Sequence, residues 1–343
     1  MALEPPRAFA KLPLAATLRA TAEDFEVEEE LGFEPDGEGQ HWLLKVRKRG
    51  ANTEWVARAL ARHASIRAAD VGFAGLKDRH AVAVQWFSVP RGGVSAGSWH
   101  ELENAEFSVL EAHAHGRKLR RGALAGNRFR IRLRDLRGDR ALLDERLALI
   151  RSRGVPNYFG PQRFGIEGAN LLSLARWALD GAELGARTER SFTLSAGRSL
   201  VFNAVLAERV RREAWDRLVS GEIVNLEGSG SVFGIETPGA DLVQRCAELD
   251  LHPTGPLWGR GELRPRLEAA ELEATATREF EPVIHALERA GLQSERRALR
   301  LRVDALEAQM AQDPWLTFHL GAGAFATAVL RELVDSSVAG VSP

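Results

Sequence analysis

The sequence predicts an α+β protein in which a domain built from both ends of the chain is interrupted by a mostly helical insertion. Three features point there. Short alternating runs bounded by turn residues dominate residues 17 to 134, the pattern turns helical from about 166 to 310, and a strand, a tight loop and a helix close the chain. With 343 residues and 45% hydrophobic content, the chain can bury a real core, and its length favours two domains over one.

Taken in order, "TLRA", "FEVEEE" and "HWLLKVRKR" read as strands divided by the turn-forming "EPDGEG". Asn52 or Thr53 can cap a helix on which Trp55, Val56, Ala59, Leu60 and His63 share one face. "GFAGLKDRH" is a turn leading into the strand "AVAVQWFSV", and residues 106 to 113 form another strand. In "RFRIRLR", residues 128 to 134, Phe129, Ile131 and Leu133 point one way while Arg128, Arg130, Arg132 and Arg134 point the other. A helix over 141 to 153 ends at Gly154, and the Gly-, Pro- and aromatic-rich "GVPNYFGPQRFG" marks a boundary. "SLVFNAVLAERVRREAWDRLV" is helical in period; "WLTFHL", "GAGA" and "FATAVLRELV" are the closing strand, loop and helix.

Net charge is −1, but ten basic residues against Asp135 and Asp139 between Arg117 and Arg140 leave a local balance of +8. Acid gathers over 23 to 38 and 262 to 309, so one face is expected to attract phosphates. The single cysteine, Cys246, can form no internal disulfide and anchors no Cys-rich metal site. No run approaches the roughly 20 apolar residues that span a bilayer, and the N-terminus lacks a secretion signal's apolar core, so a cytoplasmic protein with no membrane partner is expected.

Asp78 stands between Lys77 and Arg79, and nearby cations favour a carboxylate's charged form, which suits a nucleophile or an electrostatic stabiliser. The same tripeptide also reads as a solvated charge cluster. Four arginines on one face of a strand must meet solvent, carboxylates or phosphates. Asn127 and Phe129 share the opposite face, where an amide and a ring could meet a planar ligand. "GAGAFA" fits a dinucleotide-binding glycine pattern, yet only 17 residues follow Ala326, too few to complete such a unit. His113 and His115 form an H-x-H pair with no further ligand at a suitable spacing, and no metal site is expected.

"EDFEVEE", "GFAGLKDRHAVAVQW", "GNRFRIRLR", "GVPNYFGPQRFG", "RSFTLSAGRSLVFNAVLAER" and "FHLGAGAFATAVLRELV" resemble, in this order, the TruD family of tRNA pseudouridine synthases. The blocks spread from 23 to 334. The resemblance implies a pseudouridine-synthase catalytic domain with a mixed, largely antiparallel sheet over residues 1–153 and 304–343, and a family insertion domain over 154–303. It implies tRNA as partner, modified at the uridine at position thirteen of the D-arm. Block by block, the nucleophile falls on Asp78, its companion cation on Arg19, and the substrate contacts on Phe25, Asn127, Phe129 and Phe325. Relatives often carry lysine where Arg19 stands, and Leu-Pro-x-Gly where this chain has Leu320-Gly321-Ala322-Gly323, which leaves the backbone before Phe325 looser.

The isomerisation breaks the N1–C1′ bond, turns the uracil over and joins C5 to C1′; nothing is oxidised, and no cofactor is expected. A detached base must be held while it turns, by a stacking ring and an amide. Arg19 is expected to pair with Asp78, while Lys77 and Arg79 serve as phosphate contacts or as structural partners of the bend. Arg128, Arg130, Arg132 and the "KVRKR" at 45 to 49 are further candidates for the RNA backbone. No protein partner is implied, and a monomer is expected. A non-catalytic RNA binder is one rival reading, and a glycoside hydrolase, which would need a second catalytic acid and would release uracil, is another.

Overall fold

The computed structural model describes residues 4–92, 94–261 and 264–338. The chain divides into two compact units, one of Pro13–Arg140, Asp304–Gly323 and Val334–Pro343, the other of Met1–Leu12, Ala141–Val303 and Ala324–Leu333.

The first unit is built on an eight-stranded sheet. Seven strands follow one another in the order Asp304–Gln309, Trp315–Gly321, Gly126–Arg132, Phe25–Glu30, Val82–Pro90, His41–Arg49, Phe107–His115, and the short Gly72–Phe73 also pairs with Val82–Pro90. Every pairing is antiparallel except that of Phe25–Glu30 with Val82–Pro90. The sheet is therefore mixed and largely antiparallel, as the resemblance implied. A smaller sheet sets Ala15–Leu18 between Asp335–Val338, parallel to it, and Arg134–Arg137, antiparallel.

Period-two alternation explains what the large sheet buries. Along His41–Arg49, Trp42, Leu44 and Val46 are buried, and with Phe87, Val109 and Trp99 they pack against Val56, Ala57, Leu60 and Ala61 of the helix Thr53–His63. Asn52 occupies the helix N-cap with extended backbone, but its side chain makes no capping bond. The arginine-rich run breaks after Arg132: Asp135 takes a left-handed φ of +51° and the chain passes into the smaller sheet. There Arg134 Nε donates to Asp24 Oδ2 at 2.7 Å. Burial works to raise Asp24, but Arg134 and the Thr21 amide outweigh it and hold the carboxyl below its ordinary range.

The second unit carries the helices Arg140–Arg153 (from its second residue), Ala169–Leu179, Arg187–Arg211, Ala240–Ala247, Leu267–Thr277, Glu281–Arg289 and Ala326–Leu333. It also contains a four-stranded sheet that the helical reading missed, ordered Val232–Gly234, Ile223–Leu226, Leu251–Leu257, Glu295–Ala298, all antiparallel. Buried ion pairs tie this sheet to its helices: Arg209 with Glu222, and Arg296 with Glu273, both at 2.5 Å. Burial pushes the Glu222 carboxyl up, against the pull of Arg209. Among the described residues no helix is long and apolar enough to cross a membrane.

Candidate active site

Asp78 lies in the irregular segment between Gly72–Phe73 and Val82–Pro90. Its Oδ1 accepts the His80 amide at 2.9 Å, a local turn closed by the side chain, and its Oδ2 meets Arg19 Nη1 at 2.5 Å. Arg19 follows the strand Ala15–Leu18 with φ at +56°, a left-handed conformation uncommon outside glycine. Its guanidinium carbon sits 4.1 Å from the centre of the Phe25 ring. Cation and anion remain 24% and 35% exposed, so the pair adds about 1 kcal/mol at most to stability and its consequence is orientation.

The segment carrying Asp78 is fastened from beneath by side chains of which sequence reasoning named only Lys77 for such a role; Lys48, read there as an RNA-backbone candidate, is buried instead. Lys77 Nζ donates to Glu29 Oε1 at 2.8 Å, and Trp86 N donates to Glu29 Oε2 at 2.9 Å. The Lys77 amide donates to Thr53 Oγ1, Thr53 in turn to Gln85 Oε1, and Gln85 Nε2 to the Gly75 carbonyl. Lys48, 1% exposed, donates from Nζ to the carbonyls of Ala51 at 2.8 Å, Asp78 at 3.0 Å and Lys77 at 3.4 Å. Burial lowers its ammonium to about 8; Asp78 opposes that fall and Lys77 adds to it. A signal for these residues did exist. Glu29 follows Phe25 and Val27, and Lys48 follows Trp42, Leu44 and Val46, at positions whose alternation turns them inward. Lys77 therefore has its charge inside the fold, whereas Arg79 is exposed and has no carboxylate partner among the described residues.

Phe25, Asn127 and Phe129 occupy the inward face of two neighbouring strands. Val27 is paired with Phe129 and Glu29 with Asn127. The Phe25 and Phe129 rings meet edge to face at 6.0 Å, and Phe129 stacks on Phe318 at 5.4 Å. Asn127 is 8% exposed, and its Oδ1 has no hydrogen-bond partner among the described residues. Such an orphaned acceptor costs about 1–3 kcal/mol and is ready for a donor brought by a ligand. Phe325 belongs to the other unit, half-buried against Phe159 at 6.0 Å with the Arg163 guanidinium carbon 5.7 Å from its ring centre.

The arginines of Gly126–Arg132 face the opposite side and meet carboxylates. Arg128 pairs with Glu30 at 3.0 Å, Arg130 with Glu26 at 3.3 Å, and Arg132 with Asp313 at 3.1 Å. Of the "KVRKR" cations, Lys45 meets Glu28 and Glu111, and Arg49 meets Glu23. His113 pairs with Glu111 and His115 with Asp36, and among the described residues no three potential ligands converge on a metal position.

The family model described as tRNA pseudouridine synthase D (TruD) matches residues 9–182 and 183–333. A tRNA pseudouridine synthase D of Methylococcus capsulatus is 47% identical over 332 residues, covering 96% of this chain and 94% of that protein. One from Xanthomonas euvesicatoria is 47% identical over 352 residues, covering 98% and 95%. A crystal structure described as TruD from Methanosarcina mazei superposes with a TM-score of 0.73 at 21% identity, over 96% of this chain and 95% of that one.

Proposed function

This chain belongs to the tRNA pseudouridine synthase D (TruD) family, enzymes that isomerise uridine to pseudouridine, and we propose that it acts at position thirteen of the D-arm with Asp78 as nucleophile. The observation that carries the residue assignment is the environment of the Asp78 carboxylate, held between the His80 amide and the Arg19 guanidinium beside an aromatic ring.

A charged, oriented carboxylate can attack the anomeric carbon or take a proton from the sugar, and either act releases the N1–C1′ bond. Arg19 keeps Asp78 aimed; Phe25 in turn fixes Arg19. The freed uracil carries N–H donors and carbonyl acceptors, and the unpartnered Asn127 Oδ1 offers one of those donors an acceptor while the base turns. Phe129 is the proposed apolar wall within the unit that carries Asp78. C5 then joins C1′ as Asp78 is displaced from the sugar, or returns the proton it took; C5 loses its proton and N1 gains one, so substrate and product have the same atoms. Extruding the uridine from a folded tRNA costs a few kcal/mol, offset by contacts to the phosphates.

The test is Asp78→Asn, which keeps the shape of the side chain and an oxygen for the His80 amide. Pseudouridine formation, mapped at position thirteen by carbodiimide labelling of the tRNA, should fall on the order of a thousandfold or more. Affinity for tRNA should stay within about twofold. Retained turnover in Asp78→Asn would assign the attack to another group, and labelling at a different uridine would move the substrate site.

A further inference from the structure

A second cationic surface lies in the unit that carries Asp78, and its charges are not neutralised. A cleft of about 670 Å³ is lined by Arg58, Lys118, Arg120 and Arg121, with Glu54 the one acidic residue in its wall. The local sequence explains it. In "RKLRRG", residues 117 to 122, Leu119 is buried with Leu43, Ala74 and Trp86, and its amide donates to Ser88 Oγ at 2.7 Å. The Gly122 amide donates to the Ala74 carbonyl at 2.8 Å. With Leu119 inside, the cations on either side of it are left outside.

None of the four is matched by a carboxylate among the described residues. Lys118 Nζ rests on the Ala69 carbonyl at 2.7 Å, and the Arg121 guanidinium carbon lies 4.0 Å from the centre of the Phe73 ring; a carbonyl and a ring orient a cation without cancelling its charge. Arg58 and Arg120 are exposed. Asp70, whose field reaches Lys118, is already held by two nitrogens of Arg67. On the arginine strand, by contrast, a phosphate would have to displace Glu30, Glu26 or Asp313.

We propose that this cleft, and not the arginine strand, grips the sugar-phosphate backbone of the tRNA. The proposal rests on the reading of the chain as a tRNA-modifying enzyme. The cleft wall includes Gly72 and Phe73, the short strand from which the chain continues into the segment that presents Asp78. Arg121 lies over one face of the Phe73 ring, so that face is not offered to a base. Recognition is by charge, independent of base sequence.

The test compares Arg120→Ala/Arg121→Ala with Arg128→Ala/Arg130→Ala, measuring binding of a D-arm-containing tRNA transcript between about 50 and 200 mM salt. The cleft variant should weaken binding about tenfold or more, and flatten the plot of log affinity against log salt by about 0.7–0.9 for each phosphate that is no longer neutralised. The strand variant should leave the slope unchanged. Arg120→Glu, which reverses a charge in an exposed loop position, should exceed the loss seen for Arg120→Ala. Equal slopes for parent and cleft variant, or a larger effect from the strand pair, would overturn the proposal. If the parent forms no pseudouridine, the functional reading fails, yet the binding slopes still decide the cleft.

Discussion

Replacing Lys48 with Met separates holding the Asp78 segment from holding the fold. The ammonium donates to three backbone carbonyls, two of them at Lys77 and Asp78. A bond from a charged donor contributes on the order of 1.5–3 kcal/mol. Against this stands burial: the fall from 10.5 to about 8 corresponds to about 3 kcal/mol at 1.36 kcal/mol per pH unit. Methionine gives up the bonds and the desolvation together, so the net loss of stability should be no more than a few kcal/mol and the variant should fold. Turnover at pH 7 should nevertheless fall about tenfold or more with KM nearly unchanged, because the Asp78 segment is no longer fixed. The pH dependence has opposite signs for the two properties. With the folded value below the unfolded one, the unfolded chain holds more protons between about pH 8 and 10.5, so this group's contribution to stability improves as pH rises through that window. A neutral amine is the weaker donor, so turnover should decline above about pH 8 over the same range. The charges acting on Lys48 are Asp78, which favours the ammonium, and Lys77, which opposes it. The assay is a pH profile of single-turnover pseudouridine formation beside thermal unfolding. An alkaline decline that survives unchanged in Lys48→Met, or a variant with parental turnover, would refute the reasoning.

Arg19→Lys keeps the charge beside Asp78 but not a planar group that can also lie on Phe25, and single-turnover rates should drop about tenfold while tRNA affinity holds. Asn127→Leu removes an orphaned buried acceptor, so thermal unfolding should show a gain of about 1 kcal/mol while turnover falls; a destabilised variant would mean that the amide oxygen is already satisfied in the free protein. Gly72→Ala would place a methyl carbon 2.4 Å from the Leu119 carbonyl oxygen and from Ser88 Oγ. A loss of about 1–3 kcal/mol and a Tm lower by several degrees should follow.

The large sheet was readable because its strands alternate cleanly: Phe25–Glu30 and His41–Arg49 lie where the pattern put them, while the strand read over 128 to 134 runs Gly126–Arg132, two residues earlier. The sheet of the second unit was not. Leu251–Leu257, "LHPTGPL", carries Pro253, Gly255 and Pro256 and yet runs between two strands, with the Pro253 carbonyl accepting the Leu299 amide. Neighbours distant in sequence override a local composition that argues against a strand. In the same way, the apolar period of the long helix begins near Ser199, but the helix starts at Arg187, because its first turns are charged and only packing with Leu174 and Leu287 orders them. At the site, residue types pointed to Asp78 and Asn127 and the family resemblance to Arg19; alternation turns Glu29 and Lys48 inward, but the bonds by which Glu29, Thr53 and Gln85 hold the Asp78 segment span 10 to 57 residues, and no local pattern reports those partners.

Strand order also sets a timetable for synthesis. Gly126–Arg132 must wait for Trp315–Gly321, roughly 180 residues later, before its second edge is paired; at about 5–20 residues per second, that is about 10–40 s on the ribosome. For that interval the nascent chain shows a ribbon with an open flank, the template on which polypeptides stick to one another. Three arginines at every second place make this ribbon repel its own kind, so a charge pattern that ends up quietly neutralised in the finished molecule acts as a guard while it is being made.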